Sequence, residues 1–192
     1  MKFKDEWNQL IKSIDEIRSE STGIEFSDNL LDLLVAGEDH RFWLHFGVDP
    51  IGLARAFWKT AFCSRREGGS TIAMQLVRTI TNRYEISPQR KFKEIYLATR
   101  LTLTLERKEI LTLYLNIAYF GWNMHGLEQT CKVLELDKSA LSNYEAASIV
   151  ARLKYPEPRF NKNMKLRAID IRANHIINRF NQFNSKERYG TI

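Results

Sequence analysis

Apolar residues recur near the amino terminus at Phe3, Trp7, Leu10, Ile11 and Ile14, the spacing of one face of an α-helix. The pattern predicts an amphipathic helix over residues 3–20. Its other face mixes Lys with Asp and Glu, which suits packing against the domain better than docking on an anionic bilayer. Ser27 stands as an N-cap ahead of Leu30, Leu31, Leu34 and Val35, and Gly37 is placed to end that helix. A further helix is predicted from Pro50 to Phe62. Gly68 and Gly69 then break the chain, and Ser70 can cap the next helix. In "SPQRKFKEIYLATRL", Ser87 as N-cap and Pro88 at the first helical position form a strong start signal. "KEILTLYLNIAYF" and "LSNYEAASIVARLKYP" read as two more helices, the second stopped before Pro156. Residues 164–182 carry a weaker pattern through Leu166, Ile169, Ile176 and Phe180. No strand pair, internal repeat or low-complexity tract stands out, so the fold class is all-α or nearly so.

Composition narrows this picture. A chain of 192 residues has room for one well-buried domain and not for two comfortable ones. With 44% hydrophobic and 27% charged residues, it is neither disordered nor fibrous. The net charge of +6 is unevenly spread: residues 1–49 are acidic by 6 charges, residues 50–110 basic by 7 and residues 111–192 basic by 5. That asymmetry points the middle of the chain toward something anionic, whether nucleic acid, lipid headgroup or phosphate. Cys63 and Cys131 lie far apart in no metal-binding or redox spacing. The longest uncharged run, Ile110 to Met124, is shorter than a membrane span and contains Asn116, Gly121 and Asn123. "MKFKDEWNQL" lacks the apolar core of a signal peptide. By sequence alone the chain reads as soluble or peripheral.

Candidate chemistry gathers at three places. In "GGSTIAMQLVR" the residues Thr71, Gln75 and Arg78 fall on one helical stripe behind a helix start whose free N–H groups suit an anion. A solvated polar face with a Ser cap is the plainer alternative. In "RKFKE" the cations Arg90, Lys91 and Lys93 crowd the first turns of a helix, where the macrodipole disfavours them. Such a broken rule is expected where an anionic ligand compensates. An Arg90–Glu94 ion pair would occupy only one of the three. In "LLVAGEDHRFWLHFGVDP" the carboxylates Glu38 and Asp39 sit between apolar neighbours. His40 and His45, five apart, do not share a helix face and make a poor metal pair. Two carboxylate centres in an all-α chain suggest sugar chemistry. Where the leaving group is a phosphate, cations replace the general acid, and the remaining need is a base for the attacking hydroxyl, a task that suits Glu38.

Taken together, "EDHRFWLHFGVD", "GGSTIAMQL", "RKFKEIYLA", "EILTLYLNIAYFG" with Gly126, and "EAASIVARLKYPEPRFN" resemble, in order and spacing, the five motifs of the peptidoglycan glycosyltransferases. These are the transglycosylase domains of class A penicillin-binding proteins and their monofunctional relatives. The resemblance covers roughly residues 27–161, the motif-bearing core of a single domain spanning 1–192. It implies a lysozyme-like helical head with a smaller, membrane-facing jaw. It also implies an enzyme that polymerises lipid II into glycan strands with inversion and release of polyprenyl pyrophosphate. Residue by residue, Glu38 matches the catalytic base and Glu94 the second glutamate, near the donor pyrophosphate and in some members associated with a divalent metal, magnesium or manganese. Ser70, Thr71, Gln75, Arg78, Arg90, Lys91 and Lys93 match donor or acceptor contacts. Asp39, Phe42, His45 and Asp49 match supporting residues of the first motif, and Asn116 falls in the fourth.

The implied partners are lipid II, the growing glycan strand, a membrane surface and other cell-wall synthesis proteins, with no nucleic acid. The implied location is peripheral, on the outer face of the cytoplasmic membrane. A jaw surface with Ile51, Phe57, Trp58 and Phe62 among Arg55, Lys59, Arg65 and Arg66 is expected to meet the bilayer. The chain departs from the family pattern at Met74, Thr79, Ile86 and Thr102 and in "QTCKVLEL"; Ile86 replaces a frequent Arg, with Arg83 one turn away. Transfer from a different polyprenyl-linked sugar, or a lysozyme-type hydrolysis, is the alternative activity.

Overall fold

The computed structural model describes residues 2–21, 26–62 and 69–189. In chain order it contains α1 (Lys2–Glu20), α2 (Asp28–Glu38), a short 3-10 turn (Phe42–Leu44), α3 (Pro50–Phe62), α4 (Ile72–Thr81), α5 (Pro88–Thr104) and α6 (Arg107–Ile117). A small hairpin of β1 (Tyr119–Gly121) and β2 (Met124–His125) follows, then α7 (Gly126–Leu134), α8 (Asn143–Lys154) and α9 (Asn163–Tyr189). The class is mainly α, as the periodicity predicts.

Local chemistry explains the boundaries. The side chains of Ser27, Ser87 and Ser142 accept hydrogen bonds from the amides of Leu30, Arg90 and Glu145 at the starts of α2, α5 and α8, each cap contributing about 1 kcal/mol. Glu145 returns the bond to Ser142, completing a capping box. Two predicted boundaries are corrected. Gly37 does not end α2, which runs on to Glu38 with Asp39 as C-cap. A Cβ at Gly37 would lie 2.8 Å from Val150 Cγ1, so this glycine serves close helix packing. Ser70 does not cap α4; Thr71 does, accepting from the Met74 amide. The hairpin is a further correction. Its strands are too short for an alternating pattern to register in the sequence.

The chain divides into two compact units, one of Met1–Thr22 with Arg41–Tyr114 and the other of Gly23–His40 with Leu115–Ile192. In the first, α1 packs on α4 and α4 on α5, with Trp7, Leu10, Ile14, Ile72, Ala73, Leu76, Val77, Leu97 and Leu101 buried. Gly47 brings the loop before α3 onto α5. Its φ is +78°, and a Cβ there would fall 2.2 Å from the Ala98 carbonyl oxygen, so only glycine fits.

In the second unit α2 packs against α8 and α9, which also pack on each other. Every α2 residue from Leu30 to Gly37 except Asp32 is buried. The hairpin is tied down by Glu157, whose amide donates to the Phe120 carbonyl at 3.0 Å and whose carbonyl accepts from Trp122 N–H at 2.8 Å. The buried Glu157 carboxylate accepts from Arg152 and Lys162, both at 2.8 Å. Burial alone would raise its pKa, but the Lys162 and Arg152 bonds outweigh that and hold it below the ordinary 4.5.

Candidate active site

In the first unit, the last turn of α4 and the first turns of α5 converge on one carboxylate. Glu94, only 4% exposed, accepts from Arg78 Nη2 at 2.7 Å, from Arg90 and from Lys91 Nζ at 3.4 Å. Arg78 Nη2 and Lys91 Nζ also donate to Ser70 Oγ, at 3.0 and 3.2 Å. Ser70, Arg78, Arg90, Lys91 and Glu94 are thus brought together. Ser70 is free for this because Thr71 takes the capping duty. Three cations share one carboxylate, so the cluster keeps a positive surplus. Lys91 registers it: burial pushes its pKa below the usual 10.5, Glu94 pulls it back, and Arg78 and Arg90 push it down again.

Other predicted residues sit differently. Thr71 is buried, and its hydroxyl donates to the Gly47 carbonyl at 2.6 Å, so it faces the fold and not the stripe of Gln75 and Arg78. Gln75 Oε1 accepts from the Tyr114 hydroxyl at 2.5 Å. Lys93 donates to Glu6 of α1 at 2.6 Å, and Arg83 to the same oxygen at 3.1 Å. The expected surplus of unpaired cations at the α5 start is therefore met partly from within the chain, by Glu94 and Glu6. Of the departures, Ile86 is 99% exposed and Met74 fully buried. Thr102 is buried and donates to the Ala98 carbonyl.

The supporting residues of the first motif mostly hold the backbone. Asp49 Oδ1 accepts from the Ile51 amide at 3.1 Å, satisfying a first-turn N–H of α3, and Oδ2 lies 3.3 Å from Arg41 Nε. Arg41, the cation nearest Glu38 in sequence, is thus engaged elsewhere. Phe42 is fully buried, with the Arg107 guanidinium 5.5 Å from its ring centroid and donating to its carbonyl at 2.6 Å. His45 is buried, its ring 6.3 Å from that of Phe42.

In the second unit Glu38 closes α2, its side chain 13% exposed. One cation beside it is Arg172 of α9, with Nη2 3.5 Å from Glu38 Oε1; the same group donates to the Gly37 carbonyl. Arg172 therefore complements the negative end of α2 and the carboxylate at once. Asp39 is buried as the α2 C-cap. Asn116 contributes backbone: a Cβ at Gly126 would meet its carbonyl oxygen at 2.3 Å.

Sequence reasoning missed Glu6, Tyr114 and Arg172, and it raised Arg83 only as a stand-in for the Arg that Ile86 replaces. None lies in a quoted motif except Tyr114, where an apolar run hides its hydroxyl. Both oxygens of Glu94 already accept from cations, a setting that does not fit a divalent metal. Among the described residues no group of three His, Cys, Asp or Glu side chains could hold one. No helix of the described residues is long and apolar enough to cross a membrane.

The fold is helical, and its ordered motifs set a carboxylate among phosphate-suited cations. A family model described as Transglycosylase matches residues 8–181, and the chain belongs to that family. It is similar to penicillin-binding protein 1A of Haemophilus influenzae, 35% identical over 166 residues that make up 83% of this chain and 19% of that protein. It is also similar to penicillin-binding protein 1A of Aquifex aeolicus, 37% identical over 123 residues, 59% of this chain and 17% of that one. The monofunctional glycosyltransferase of Staphylococcus saprophyticus is 34% identical over 118 residues, 62% of this chain and 44% of the relative. The chain spans less than half the length of the curated relatives it matches.

Proposed function

We propose that the chain is a peptidoglycan glycosyltransferase that extends glycan strands from lipid II. The observation that carries this reading is the positive surplus around Glu94, where Arg78, Arg90 and Lys91 share one carboxylate. A pyrophosphate leaving group would supply the missing negative charge. Such charge-assisted bonds are worth about 1.5 to 3 kcal/mol each and strengthen as the C1–O bond breaks. Glu38 takes the proton from the acceptor 4-hydroxyl, that oxygen attacks the donor C1, and polyprenyl pyrophosphate departs from the opposite face, which inverts the anomeric centre. A cation-bound leaving group needs no acid. The acceptance of three cations by the Glu94 oxygens supports a reading in which Glu94 anchors those cations, where a hydrolase would need a proton donor. Peripheral attachment to a membrane surface, where the lipid-linked donor resides, belongs to the same reading.

Incubation with labelled lipid II and gel separation of the products tests it. Wild type should yield a ladder of glycan strands. Glu38→Gln, which keeps shape but cannot accept the proton, should lose about 10² to 10⁴ in rate while still binding donor. Glu94→Gln should lower donor affinity and thermal stability together, because it strips a buried cluster of its counter-charge. A wild-type chain that makes no polymer would sink the activity. Consumption of only another polyprenyl-linked sugar would correct the substrate, and normal turnover by Glu38→Gln would reassign the base.

A further inference from the structure

Glu6 of α1 precedes the residues that the family match covers, yet its carboxylate holds two cations of the α4–α5 region. Lys93 Nζ and Arg83 Nη1 both donate to Oε1, at 2.6 and 3.1 Å. The other oxygen, Oε2, is buried with no hydrogen-bond partner. A carboxylate bound through one oxygen with the other unsatisfied is held by charge more than by shape, and it leaves a buried acceptor uncompensated. The attraction is strong enough to keep the pKa of Glu6 below 4.5 although burial, the largest single influence, would raise it.

The surroundings show how an outside anion could take its place. Arg83 and Glu6 line an open cleft of about 390 Å³ between α1 and the end of α4, together with Ser13 and Thr81. Arg83 and Lys93 also border, with Arg78, Arg90 and Glu94, a gap of about 10 Å³, room for roughly one water. Arg83 therefore stands between an approach from solvent and the cation cluster of the candidate active site. It lies three residues before Ile86, where the exposed apolar side chain can bind no anion.

We propose that Arg83 and Lys93 form an anion site, suited to a phosphate or pyrophosphate group, that Glu6 occupies in cis. An incoming phosphate competes with Glu6 for the same two donors, and α1 thereby sets how tightly the chain takes anionic ligands. The site itself is defined by these three side chains. That its phosphate is the donor's leaving group rests on the glycosyltransferase reading above.

The test is calorimetric titration of the full chain with inorganic pyrophosphate. Glu6→Gln removes the competing charge and should bind about three- to tenfold tighter than wild type. Arg83→Gln, which leaves Lys93 to Glu6, should bind at least about threefold more weakly. The double variant should show no gain. Affinity unchanged or lowered in Glu6→Gln, or unchanged in Arg83→Gln, would overturn the proposal, as would a gain that survives in the double variant. If Glu6→Gln does not fold, the Arg83→Gln titration still decides. Repeating the titrations with polyprenyl pyrophosphate and with phosphatidylglycerol in the same detergent micelles identifies the source of the phosphate. A gain confined to the first supports the site as one for the leaving group, and a gain with both supports a general phosphate site. No turnover is measured, so failure of the glycosyltransferase reading would leave these outcomes intact.

Discussion

Arg172 joins two tasks in one guanidinium, completing the end of α2 through the Gly37 carbonyl and facing the Glu38 carboxylate. Arg172→Met keeps the packing of the stem but loses the fork. If Glu38 is the base, its misplacement should lower turnover about tenfold to a hundredfold with little change in melting temperature. Arg172→Lys should fall between, since an ammonium cannot serve both acceptors in one plane. Unchanged turnover in both variants would show that Arg172 only finishes a helix. What sequence could show at this scale depended on separation along the chain. Arg90 and Glu94 are four apart on one helix, and their pairing follows from helical geometry. Arg172 and Glu38 lie 134 residues apart and Lys93 and Glu6 lie 87 apart, and no local spacing encodes such contacts.

Among the elements, α3 presents Ile51 and Trp58 at 60% and 61% exposure, and Leu44 and Phe46 are exposed ahead of it. Phe57, Lys59 and Phe62 have side chains outside the described residues, and so do Arg65 and Arg66 altogether. Large apolar side chains left in water on one stretch fit a membrane-facing surface. The chain should co-sediment with anionic vesicles at low salt, and Trp58→Ser should weaken that binding about tenfold, from the apolar area it withdraws. Equal sedimentation of the variant would remove α3 from the membrane contact. Helices with a Ser cap and a long apolar stripe were legible in the sequence. The α7 segment was not, because its burial rests on Leu127, Thr130 and Cys131 within nine residues, too short a run to establish a period. Gly37 misled for the opposite reason: glycine signals a helix end, and here it signals contact.

For the molecule as a whole, acid should be the discriminating stress. Glu6 in the first unit and Glu157 in the second both have carboxylates held below 4.5 by cationic partners that outweigh burial. Unfolding releases each to its ordinary value, so the unfolded chain takes up the proton first as pH falls. Their stabilisation is complete above about 4.5 and drains away as pH drops through the lower folded values. Thermal unfolding followed by circular dichroism should give a shallow decline of the midpoint below about pH 6.5, where the unfolded chain protonates His175, whose folded pKa is lowered by burial and by Arg172 and Arg179, and a steeper decline below about pH 4.5. Glu6→Gln should make the steeper decline shallower; an unaltered profile would mean that Glu6 contributes no linked stability. Motif order and charge asymmetry made the class and family of the molecule legible. The grouping of residues 23–40 with 115–192 was not, because buried leucines show that a helix is covered but not by which segment.

Helix α2 has almost no solvent-facing side, and its backbone cannot be exposed without uncovering Leu30, Leu31, Leu33, Leu34 and Val35 together. Partial opening of that stretch would cost nearly as much as losing the whole unit. The backbone beneath Glu38 is thus closed to local breathing, and re-aiming of its carboxylate is left to rotations of its own side chain. Any larger displacement that a turnover cycle demands has to be supplied by the substrate or by less deeply seated parts of the chain.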